Sequence, residues 1–267
     1  MLSYLGALYA FGGKAEGYVM GQDSASEFIS KQSQPSELAW GWSAVAWTLA
    51  LLIGGGAALI ITVRSIVALS GAQPAPGLIS PLAYTLGTGI YLLLIAGVYL
   101  FAARRAGWAA LGVRRASLLD YLLVMPIYIL GTIGLVAANL VVVTLTGVTE
   151  NPQIEALSGG QTLSSIQLIM LLILVAGLAP LAEELFFRGM LYPLLRRHLG
   201  PAAAIGVNAG LFALAHFIPT LLPGLFIIGL ALAYLRERSG SIWPCVLYHI
   251  IQNSIALFAI NTVLNNA

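Results

Sequence analysis

SIQLIMLLILVAGLAPLAEELFFRGMLYPLLRRH, residues Ser165–His198, decides how this chain is read. Its opening run is apolar enough to cross a bilayer, a task that takes about 20 such residues. Yet Ala179-Pro180-Leu181-Ala182-Glu183-Glu184-Leu185-Phe186-Phe187-Arg188-Gly189 places two carboxylates and a guanidinium inside it. A charge at that depth costs ~2.5–3.5 kcal/mol on insertion scales, so it is retained for a task.

The whole chain carries the same signature. Hydrophobic residues are 59% of the 267 and charged residues only 8%, where a soluble domain carries ~25%. The expected fold is all-α, a polytopic transmembrane bundle of about seven spans enclosing an intramembrane active-site cavity. Apolar runs place the spans at Leu38–Val63, Pro81–Ala103, Leu118–Thr146, from Ser165, Pro201–Phe217, Leu222–Leu235 and Ile242–Val263. Three regions follow: a polar tail over 1–37, opening on a possible short interfacial helix in MLSYLGALYAFGG; N-terminal membrane helices over 38–164; and a catalytic core over 165–263.

Basic residues set the orientation. Arg104, Arg105, Arg114 and Arg115 follow the second span, Arg196 and Arg197 the fourth, and Arg236 and Arg238 the sixth. The loop after the third span carries Glu150 and Glu155 instead. The positive-inside rule then puts the N-terminus in the cytoplasm of a plasma membrane. Cys245 is alone, so no internal disulfide is available, and a net charge of +2 gives no reason to expect a nucleic-acid partner.

Spacing separates the charges. Glu184 and Arg188 are i,i+4 with the acid first, the favourable order for a helix ion pair. Glu183 points about 100° away and has no cation in its own helix, which leaves it available as a general base. Because the run stays apolar to Arg197, Glu183 lies ~21 Å along the axis from that interface. His216 lies ~22 Å from Pro201 and His249 ~10 Å from Ile242, with Asn253 a turn deeper on the same face. These groups can meet in mid-membrane. Cys245, Asn139 and Asn208 read as packing residues, Asp120 as an interfacial cap and His198 as a solvated interface residue.

Glu-Glu-x-x-x-Arg (183, 184, 188), Phe-x-x-x-His (212, 216) and His-x-x-x-Asn (249, 253), on successive membrane segments, resemble the CAAX prenyl protease and bacteriocin-processing family of intramembrane proteases. The resemblance covers roughly Ser165–Ala259. It implies that Glu183 with His216 activates the attacking water, and that His249 and Asn253 bind the oxyanion. Glu184 and Arg188 occupy the remaining motif positions.

Amide hydrolysis needs a base for water, donors for the developing oxyanion and an acid for the leaving amine, and this set supplies all three. Zinc would require three protein ligands and an open position, for which Glu183, His216 and His249 are the candidates. That arrangement leaves too little for the oxyanion, so no cofactor is required in the preferred reading, although a divalent metal is an alternative. The expected substrate is a membrane-associated peptide or protein within the lipid bilayer. Two rivals use the same residues: a transporter or channel with Glu and His as proton or cation sites, and a catalytically silent immunity or scaffold protein.

Overall fold

Helices account for most of the described residues because, away from water, only intrasegment hydrogen bonds satisfy a lone polypeptide backbone. The computed structural model describes residues 38–71, 77–148 and 152–266, so the tail, its proposed interfacial helix and Glu150 lie outside the described residues. The helices are α1 (Trp42–Ser70), α2 (Pro81–Ala106), α3 (Leu118–Thr146), α4 (Pro152–Ser158), α5 (Ser165–His198), α6 (Pro201–Leu214), α7 (Leu222–Ser239) and α8 (Trp243–Asn266). Among the described residues, six are long and apolar enough to cross a membrane. The protein is a multi-pass integral membrane protein.

The difference from the expected seven spans lies at α6. Its 14 residues reach only ~21 Å, short of a ~30 Å hydrocarbon core. After Leu214 the chain leaves the helix and turns ahead of Pro219. The residue before a proline is driven out of the helical region, and Ile218 is extended at φ −117° and ψ 96°. The preceding Phe217 turns the chain through a left-handed φ of 54°. α6 and α7 form a hairpin, and the Arg196–Glu237 ion pair at 3.0 Å ties the end of α5, which leads into α6, to the end of α7.

The basic segments gather at that same end. Arg238 Nε lies 3.6 Å from Asp120 Oδ1, Arg114 Nε donates to Gly240 O at 2.9 Å, and Ser241 Oγ donates to Arg114 O at 2.7 Å. Asp120 also completes a capping box with Ser117 at the start of α3, in keeping with its reading as a cap. At the other end Leu78 N donates to Ala156 O at 3.0 Å, which ties α4 to the residues leading into α2.

Inside the hairpin, α6 and α7 approach until their backbones nearly touch. A Cβ added to Gly229 would lie 2.9 Å from Ala209 Cα. Small residues at such crossings replace the hydrophobic drive that lipid cannot supply. Gly229→Val should cost ~1–3 kcal/mol by overpacking and lower the melting temperature of the detergent-solubilised protein. Gly210→Ala, where a Cβ meets nothing within 4 Å, should leave it unchanged.

Candidate active site

Two prolines shape the helix that carries the glutamates. In α5, π-helical turns over Leu172–Leu178 and Leu185–Leu191 each run into a proline, Pro180 and Pro193. Proline has no N–H and its ring crowds the preceding turn, which wider π turns relieve. The register is visible in Ala179 N donating to Leu174 O and Tyr192 N donating to Phe187 O. The next acceptors in that register are Val175 O and Arg188 O, and neither proline can donate to them. A buried carbonyl left so is costly. Asn253 Nδ2 donates to Val175 O at 2.8 Å, and Arg236 Nε to Arg188 O at 2.9 Å. Each proline thus ties α5 to a polar side chain far along the sequence.

Between the prolines, helical phase parts the two glutamates. Glu184 is fully buried, and its Oε1 takes Arg188 Nη1 and His249 Nδ1, both at 2.9 Å. Arg188 is equally buried, donates from Nη2 to Gly229 O at 3.2 Å, and stands 4.6 Å over the Phe212 ring. The same ring packs against His216, 4.8 Å between centroids, and His249, 5.7 Å. Phe212 is therefore the apolar floor on which the cation and both imidazoles rest.

Glu183 faces the other way, into a cavity of about 240 Å³ lined also by His216, His249 and Asn253. Its Oε2 lies 3.9 Å from His249 Nε2 and, among the described residues, has no hydrogen-bond partner. The structure thus gathers all six residues singled out by the motifs: four line the cavity, and Glu184 and Arg188 stand behind His249. Away from the basic end, the cavity runs past Val175 and Ala256 to α4, where Ala156 and Leu157 line it.

Hydrogen bonding sets the imidazoles. His216 Nδ1 lies 2.8 Å from Phe212 O, which can only accept, so Nδ1 carries the proton. Neutral His216 then offers the Nε2 lone pair. His249 Nδ1 pairs with Glu184 Oε1, which leaves Nε2 to face the cavity side of the ring.

Residues 165–255, about a third of the chain, match the family model described as type II CAAX prenyl endopeptidase Rce1-like. This C-terminal core is similar to the CAAX prenyl endopeptidases, and the match takes in all three motifs. Searches of the curated proteins and of the solved structures find no match. The Rce1-like segment holds all six motif residues, and α1 to α4 lie outside it.

Those outer helices supply a residue that sequence reasoning missed. Tyr91, on α2, donates to Glu183 Oε1 at 3.3 Å and lines the cavity. The available signal was a phenol in an apolar span, where a hydroxyl needs a partner. Gln252, beside Asn253, also lines the cavity, and its buried Oε1 has no partner among the described residues.

The other sequence readings fall into place. Cys245 is buried with Sγ 3.2 Å from Leu232 O, and Asn208 Nδ2 donates to Phe187 O at 2.9 Å; both serve packing. His198 is exposed at the end of α5. As for zinc, among the described residues no group of three His, Cys, Asp or Glu side chains is placed to hold a metal ion.

Breaking a buried ion pair from one side strands the other charge, at a cost of ~3–5 kcal/mol. Arg188→Leu should therefore lower stability by about that amount, read as an earlier unfolding transition in detergent, whereas Arg197→Leu at the exposed interface should shift it little.

Proposed function

We propose that the protein is an intramembrane endopeptidase that hydrolyses a peptide bond of a membrane-associated substrate by a metal-free, glutamate-activated water. The observation that carries this reading is the carboxylate of Glu183, set in a cavity beside two imidazoles and an amide with one oxygen unclaimed. The family match supports a CAAX-type endopeptidase.

In this reaction the water lies between Glu183 Oε2 and the imidazoles. The 3.9 Å separation from His249 Nε2 is too long for a direct hydrogen bond and suits a bridging water. His216 Nε2 accepts one water hydrogen, and Glu183 Oε2 takes the other as the oxygen attacks the carbonyl. Imidazolium His249, stabilised by Glu184, and the second N–H of Asn253 donate to the oxyanion. One such donor is typically worth ~3–4 kcal/mol. Protonated Glu183 then passes its proton to the departing amine as the C–N bond breaks.

Asn253 brings an advantage that spacing alone did not promise. Its bond to Val175 O fixes the amide before substrate arrives, so orienting it costs little during the reaction. The apolar lining of Val175, Leu225, Ile228, Leu257 and Ile260 suits a lipid-attached or hydrophobic chain. Orientation follows the basic residues, with the N-terminus cytoplasmic in a plasma membrane.

The test is turnover of an internally quenched, farnesylated CAAX peptide, and of its unmodified counterpart, by purified protein in proteoliposomes. Wild type should cleave at least one. Glu183→Gln, folded to the same extent, should lose at least ~1,000-fold in kcat, the scale on which removal of a single general base acts. Wild-type turnover by Glu183→Gln would refute the assignment, and pH-dependent ion flux without proteolysis would favour a transporter.

A further inference from the structure

We infer that Tyr91 is a positioning residue of the catalytic centre, contributed by the part of the chain that the family match does not reach. The inference rests on Glu183 being the base. Tyr91 lies 92 positions before Glu183, on α2, yet its hydroxyl donates to Glu183 Oε1 and its ring lines the same cavity as His216, His249 and Asn253. At 3.3 Å the contact is longer than the ~2.7–2.8 Å usual for O–H···O, a common state of catalytic hydrogen bonds before substrate binds.

The two carboxylate oxygens thereby become unequal. Tyr91 claims Oε1, which fixes the rotation of the carboxylate plane and makes that oxygen the poorer proton acceptor. Oε2, 3.9 Å from His249 Nε2 and without a partner among the described residues, is left to face the water. When water attacks, one O–H bond breaks and its proton goes to Oε2, while the oxygen's electron pair forms the bond to the substrate carbonyl. That proton later moves to the amine nitrogen as the C–N bond opens. Tyr91 keeps its own proton throughout and acts only through Glu183. Without it the carboxylate rotates freely in a cavity whose other groups are fixed by Phe212 O, Glu184 and Val175 O.

A purely structural phenol predicts something else. α2 packs against α5 along several turns, and Tyr91→Phe keeps the ring and its packing while removing one oxygen atom. The experiment compares wild type, Tyr91→Phe and Glu183→Gln on the farnesylated and the unmodified quenched CAAX peptides in proteoliposomes, with melting temperatures measured on the same samples. Tyr91→Phe should lower kcat by about 10- to 100-fold, the scale of a misplaced reacting group, with KM within about twofold and the melting temperature unchanged. Unchanged kcat would overturn the inference, as would a rise in KM at constant kcat, which marks a substrate contact. A fall in kcat matched by an earlier melt, and recovered at a temperature where both proteins are folded, would overturn it in favour of a structural role. An active Glu183→Gln, or a wild type inert toward both peptides, overturns instead the reading on which the inference rests. An inactive Glu183→Gln beside a fully active Tyr91→Phe overturns the role of Tyr91 alone.

Discussion

A single buried oxygen organises this structure. Glu184 Oε1 takes both Arg188 Nη1 and His249 Nδ1 at 2.9 Å, with the carboxylate and the guanidinium wholly shielded. Two charges in a low-dielectric interior are not stabilising by themselves, because desolvation can exceed their attraction. What the arrangement provides is geometry. It joins α5 to α8 through His249 and to α7 through Gly229 O, and it fixes which nitrogen of His249 faces the cavity.

The prolines extend that geometry along α5. Pro180 and Pro193 each remove a donor from a π-helical register, and each missing bond is replaced from a distant helix, by Asn253 and by Arg236. The functional helix is thus irregular where its neighbours must grip it. π turns recur at functional sites for this reason: they free backbone groups that side chains can then claim. Asn253 both holds α5 through Val175 O and lines the cavity.

Much of this was legible in the sequence, and the reason is that the membrane simplifies the problem. Apolar runs marked the spans, and i,i+4 order marked the Glu184–Arg188 pair against the free Glu183. Three motif tetrads named the residues that gather at the cavity. Local spacing could not show what joins elements far apart in the chain. Tyr91 and Glu183 share no periodic relation, and neither do Asn253 and Val175 or Arg236 and Arg188. Six of the expected segments are long enough to span, and Pro201–Phe217 falls short because its helix ends at Leu214 although the run stays apolar. Hydropathy alone is blind to that.

The central claim is a division of labour between adjacent glutamates, one holding the fold and the other left underused so that it can react. Each glutamate has one buried oxygen without a partner among the described residues, at ~1–3 kcal/mol, but only Glu184 offsets that cost through Arg188 and His249. Thermal unfolding of Glu183→Gln and Glu184→Gln, side by side in the same detergent, tests this most directly. The account predicts that Glu183→Gln melts at or above wild type while Glu184→Gln melts several degrees below it. Equal losses in both variants would show instead that the two glutamates and Arg188 form one structural cluster, and would contradict the account.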